Sequence, residues 1–127
     1  MEGWIKLHRK FLSWEWYDDN NVKVIFIHLL IVANHADQKW KGITIKRGQR
    51  LTSLAHLAKE VNLTVQKTRT ALNKLKSTGE ITIKATNQNT LITIVNYDLY
   101  QLEEAKTTNR ITNKRTNEQQ TNNNKQE

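Results

Sequence analysis

Between Thr64 and Ser77 the chain gathers Gln66, Lys67, Arg69, Thr70, Asn73 and Lys74 within one segment of helical apolar spacing, predicted as a helix over 65–78. Stepping about 100° per residue from Leu72 groups Val65, Thr68, Leu72 and Leu75 on one face, with Ala71 at its edge. Gln66, Thr70, Asn73 and Ser77 fall opposite, flanked by Lys67 and Lys74 on one side and Arg69 on the other. These side chains offer donors, acceptors and positive charge. Gln and Asn amides can pair with an adenine edge at two points, Arg and Lys can reach guanine, and Thr can meet a thymine methyl or a phosphate. Thr64 is the expected N-cap, and the backbone N–H groups behind such a cap suit a phosphate. The same residue types cover the solvent face of many surface helices, so the reading depends on the neighbouring elements.

Those neighbours are consistent with it. Thr52 or Ser53 caps a helix predicted over 53–61, with Leu54, Leu57, Ala58 and Val61 facing inward. A tight break follows at Asn62-Leu63. Gly79 is placed to stop the next helix, and Ile81–Ala85 and Leu91–Val95 alternate as two strands joined by the polar loop Thr86–Asn89. Helix, turn, helix and a two-stranded wing predict an α+β winged helix-turn-helix domain over 1–102. Lys84 and Asn87 on the wing become candidate phosphate or minor-groove contacts. Lys46 and Arg47, with Arg50, form a basic turn predicted to add phosphate contacts.

Upstream, Ile5, His8, Phe11 and Leu12 predict a short helix over 5–14 in an aromatic and basic segment. Asp18-Asp19-Asn20-Asn21 is a cap cluster for a helix over 22–35 that is apolar enough to be buried on most sides. Asp37–Gly42 reads as a loop, Ile43–Ile45 as a strand and Lys46–Gln49 as a turn. Asn96–Tyr100 closes the domain with its aromatics on the core. Residues 103–127, mostly Thr, Asn, Gln, Lys and Glu, predict a disordered tail or linker.

The 127 residues carry a net charge of +8. Residues 1–100 hold 15 Lys/Arg against 8 Asp/Glu, so the basic excess lies in the part expected to fold, which favours a polyanionic partner. There is no cysteine, which excludes disulfides, thiolate metal sites and thiol nucleophiles and agrees with a cytoplasmic setting. His8, His28, His35 and His56 lack metal spacing. No glycine-rich phosphate loop, Gly-x-Ser-x-Gly turn or paired-carboxylate constellation is present, so no catalysis, cofactor or metal is expected. Trp14, Trp16 and Tyr17 are read as packing groups rather than base-stacking ones. No run reaches the ~20 apolar residues needed to cross a bilayer.

The segments 3–10, 14–18, 42–49, 70–82 and 91–100 together resemble the N-terminal winged-helix domain of phage and prophage replication-initiation proteins from low-GC Gram-positive bacteria, the DnaD-like replisome-organiser group. The resemblance covers residues 3–101. It implies a phage replication-origin or primosome component in the bacterial host cytoplasm, with double-stranded DNA as partner and a helicase loader or helicase as a further one. The Asn/Thr/Gln-rich tail resembles the linker that precedes a second domain in such proteins. In that group the winged helix also serves self-association, so a homo-oligomeric scaffold is one alternative. A transcriptional repressor using the same contacts at a promoter is another.

Overall fold

Asp19 starts the first helix. Its carboxylate accepts a hydrogen bond from the Val22 N–H at 3.2 Å, satisfying one of the donors that a helix N-terminus leaves unpaired. Helix α1 then runs Asn20–Val32. It begins earlier than the expected 22 because Asp19 is the cap. It stops before 35 because Ala33 turns extended, at φ −62° and ψ 146°. Val22, Ile25, Phe26, Leu29 and Leu30 are buried along one side, whereas Val24 and Ile31 remain 46% and 45% exposed. The expectation of burial on most sides is thereby corrected: α1 covers the core with one face and meets solvent with the other.

The computed structural model describes residues 3–101. Among them are four α-helices and two small antiparallel sheets, a mixed α+β architecture. After α1 come β1 (Gln38–Trp40), β2 (Ile43–Ile45), β3 (Gln49–Thr52), α2 (Leu54–Val61), α3 (Val65–Ser77), β4 (Ile81–Ala85), β5 (Thr90–Ile94) and α4 (Tyr97–Gln101). The larger sheet has the order β3-β5-β4, with β5 in the centre. The smaller one is a β1–β2 hairpin in which Trp40 lies opposite Ile43. Residues 38–40 are thus a strand rather than the expected loop, and 49–52 form a strand that periodicity did not indicate. The expected tail at 103–127 lies outside the described residues, as does the domain edge at 102.

Between the helices and the larger sheet lies one apolar core. It joins α1 to Leu57 of α2, to Ala71, Leu72 and Leu75 of α3, to Ile81, Ile92 and Ile94 of the sheet, and to Tyr97. The N-terminal segment closes it with rings rather than with the helix expected over 5–14. Only a 3-10 turn, Arg9–Ser13, forms there. Phe11 stacks on Trp14 at 5.0 Å between centroids, and Trp14 meets Phe26 of α1 at 4.9 Å. The indole N–H groups of Trp14 and Trp16 donate to Glu80 and Thr78, both at 2.9 Å. These bonds tie the segment to the chain just after α3, satisfying two indoles in the packing role expected of them.

Candidate nucleic-acid interface

Three residues fix α2 and its connection to α3. Ser53 caps α2, accepting from the His56 N–H at 3.1 Å. Asn62 ends α2 in the left-handed region, φ 58° and ψ 45°, a conformation that Asn tolerates better than most residues. Thr64 then caps α3, accepting from the Lys67 N–H at 3.1 Å. Thr68 is fully buried, and its hydroxyl donates to the Thr64 carbonyl at 2.9 Å, so no polar group is orphaned by that burial. Leu72 and Leu75 face inward as expected. Ala71 is buried rather than marginal, and Val65 is 41% exposed rather than inward. Val65, Gln66 and Lys67 at the start of α3 are therefore exposed, and burial begins at Thr68.

On the outward face Gln66, Lys67, Arg69, Thr70 and Asn73 are all exposed. Gln66 donates weakly to the Thr70 hydroxyl at 3.4 Å and accepts from Arg69 at 3.1 Å. From Thr64 to Ser77 there are four cations and no carboxylate. Lys67 and Arg69 sit near the positive end of the helix dipole, where cations are disfavoured and an incoming anion is favoured. Lys74 is diverted from this face. Its ammonium donates to Asp19 at 2.7 Å and lies 5.8 Å from the centroid of the Trp16 ring. The Lys74 hydrogen bond holds the Asp19 carboxyl below its ordinary range; the Val22 N–H acts the same way, against the effect of burial. Lys76, by contrast, is exposed. It is about 40° from Leu72 on the helical wheel, which hid it from the periodicity, but a long side chain can still bring its charge out to water.

A cleft of about 150 Å³ separates α3 from the β4–β5 hairpin. Arg69, Leu72 and Asn73 line it from α3, Ile83, Ala85, Thr90 and Ile92 from the hairpin, and the Thr52–Leu54 segment and Leu57 from the end of β3 and α2. Lys84 is exposed. Because strand neighbours alternate, it projects from the sheet face opposite Ile83 and so away from this cleft. Asn87 lies in the exposed loop Thr86–Asn89, which is closed by Thr86 N–H donating to the Asn89 carbonyl at 2.8 Å. No family model, curated protein or solved structure matches the chain.

Lys46 and Arg47 are not brought to this surface. Thr52 pairs with Thr90 beside the loop, whereas Gln49 pairs with Thr93 at the other end of the sheet, and the 46–48 turn is attached there. Arg47 donates to Asp98 at 2.6 Å, to the His35 carbonyl at 2.7 Å and to the Gln101 carbonyl at 3.3 Å, with its guanidinium 5.0 Å from the Tyr97 centroid. It is a clamp on α4. Lys46 is exposed nearby. Arg50 donates to Glu60 at 2.8 Å, beside a His28 contact at 3.1 Å. Burial works to raise the Glu60 carboxyl, but the His28 hydrogen bond and the Arg50 charge outweigh it and leave it lowered. Among the described residues no group of three His, Cys, Asp or Glu could hold a metal ion, and no helix is long and apolar enough to cross a membrane.

Proposed function

We propose that this chain is a non-catalytic winged helix-turn-helix protein that binds double-stranded DNA. In this reading α3 enters the major groove and the β4–β5 hairpin is the wing. The element order α1-β3-α2-α3-β4-β5, with β5 between β3 and β4, supports the fold. The observation that carries the function is the outward side of α3. It presents Gln66, Thr70 and Asn73 for base edges, and Lys67 and Arg69 for phosphates, with no acid anywhere along the helix. Asn87 at the loop tip is the wing's contact. The resemblance to DnaD-like replisome organisers makes a phage or prophage replication origin the proposed target and a helicase loader or helicase the proposed further partner. Selection of bound fragments from random duplex DNA, at recorded salt, tests this: an enriched motif lost on Asn73→Ala is expected, and recovery of no motif by the folded chain contradicts base reading.

The scaffold reading has one observation in its favour. Trp4, Leu7 and Leu12 of the N-terminal segment are 81%, 50% and 65% exposed. An apolar surface of that kind suits contact with a second copy. Light scattering decides: a strict monomer that binds duplex DNA removes the scaffold, and an oligomer indifferent to DNA replaces the binding reading.

A further inference from the structure

Trp40 and Ile43 face each other across the two-residue turn Lys41-Gly42 of the β1–β2 hairpin. Both turn residues have positive φ, 49° and 79°. That is the turn which suits a twisted hairpin, and a lysine occupies a position where Asn or Gly is favoured. Directly opposed residues share a sheet face, so Trp40 and Ile43 form one apolar surface. Its inner end, Ile45, is buried, but Trp40 and Ile43 themselves are 44% and 41% exposed. Lys41 sits in the turn beside them, Lys39 projects from the opposite face of the hairpin, Lys46 follows the end of β2, and there is no acid from Gln38 to Lys46. None of the three lysines has a carboxylate partner among the described residues. The Lys41 ammonium lies 4.7 Å from the Trp40 ring centroid. The hairpin leads into the 46–48 turn, at the end of the larger sheet remote from the Thr86–Asn89 loop.

We infer that this hairpin is a second nucleic-acid contact, one that takes single-stranded DNA by stacking an unpaired base on Trp40 beside a phosphate held by Lys41. An exposed indole beside a cation that has no carboxylate partner offers the two components that bind single strands without reading their sequence: a platform for a base and charge for the backbone. The positive charge selects a polyanion over an apolar partner. The ring selects unpaired bases over a duplex, whose bases are already stacked on each other. The site is separate from α3 and stands independently of the duplex reading.

The test uses the full chain and a labelled oligothymidylate of about 15 nucleotides, within the span that one single-strand-binding domain covers. An abasic strand of equal length and a duplex serve as comparisons. Trp40→Ala is expected to weaken oligothymidylate binding about tenfold or more, and Trp40→Phe about threefold or less. Duplex affinity should change by less than about twofold in both. The abasic strand should bind the unaltered chain more weakly than oligothymidylate does. Circular dichroism of each variant confirms the fold, and Lys41→Asn, which suits the left-handed turn and removes the charge, provides a second variant, expected to weaken oligothymidylate binding and its salt dependence together. Oligothymidylate binding that is absent or indifferent to Trp40→Ala overturns the proposal, as does equal binding of the abasic strand. An equal loss for duplex overturns it by making the hairpin part of the duplex site. A fall in molecular mass on Trp40→Ala overturns it by making the hairpin an interface between copies. Asn73→Ala should impair duplex binding alone, so failure of either site is distinguishable from failure of the other.

Discussion

Lys74 donates to Asp19 at 2.7 Å, and Asp19 is also the residue that caps α1. One carboxylate thus fastens the start of α1 to the flank of α3 and withdraws a cation from the outward surface. Asp19 has its pKa lowered in the fold. The unfolded chain therefore binds the proton more readily, and the stability Asp19 contributes is present above about pH 4 and is lost as pH falls through its lowered folded value. Asp19→Asn keeps a competent cap and removes the charge. Thermal melts should show a small loss at neutral pH and a shallower decline than the unaltered chain between about pH 5 and pH 3. Parallel declines would separate Asp19 from the acid sensitivity.

Gly48 holds the end of β3 against α4. Its φ is +84°, and an added Cβ would lie 2.7 Å from the Tyr97 Cβ. Its N–H donates to the Asn34 carbonyl at 2.7 Å, and its carbonyl accepts from Ile94 at 2.9 Å, so the backbone is held on both sides. Gly48→Ala combines left-handed strain with a clash against a Cβ that cannot rotate away. A loss of about 2 kcal/mol or more is expected in urea unfolding. A change below about 0.5 kcal/mol would mean the turn relaxes freely.

Arg47 is held by Asp98, two backbone carbonyls and the Tyr97 ring, far from α3. Arg47→Ala should lower the melting temperature by several degrees, about 1 kcal/mol for a domain of this size. Lys at this position should not restore it, because an ammonium cannot reproduce a forked and stacked guanidinium. Duplex affinity should stay within about twofold, whereas a phosphate contact would lose more and flatten the salt dependence.

Helices whose instructions are local were legible. Asp19, Ser53 and Thr64 each cap the helix that follows, and Thr68, Leu72 and Leu75 mark the inner face of α3 at its natural period. β4, β5 and their polar loop were legible for the same reason, since they are neighbours in the chain and alternate. β3 was not, because Gln49-Arg50-Leu51-Thr52 does not alternate and its partner, β5, lies some 40 residues further on. β1 was hidden by Gln38 and Lys39, which resemble loop residues until Lys41 and Gly42 are seen to adopt a hairpin turn. Part of the candidate site depended on distant pairings. That Lys74, Arg47 and Arg50 answer to Asp19, Asp98 and Glu60 follows from packing, not spacing, so a count of basic residues overstates the free charge.

Five to seven neutralised phosphates, taken from the basic residues of the sequence, would give a slope of about −4.5 to −6 for log affinity against log salt. With Lys74, Arg47 and Arg50 engaged inside the fold, the three free cations of α3 and one or two others remain, and the slope per chain on duplex DNA should be about −3.6 to −4.5. Fluorescence anisotropy across a salt series, on the unaltered chain and on Lys67→Ala, measures it directly. The expected slope lies in that range and becomes shallower by about 1 in the variant. A slope near zero, or one that Lys67→Ala leaves unchanged, would contradict the placement of α3 on DNA.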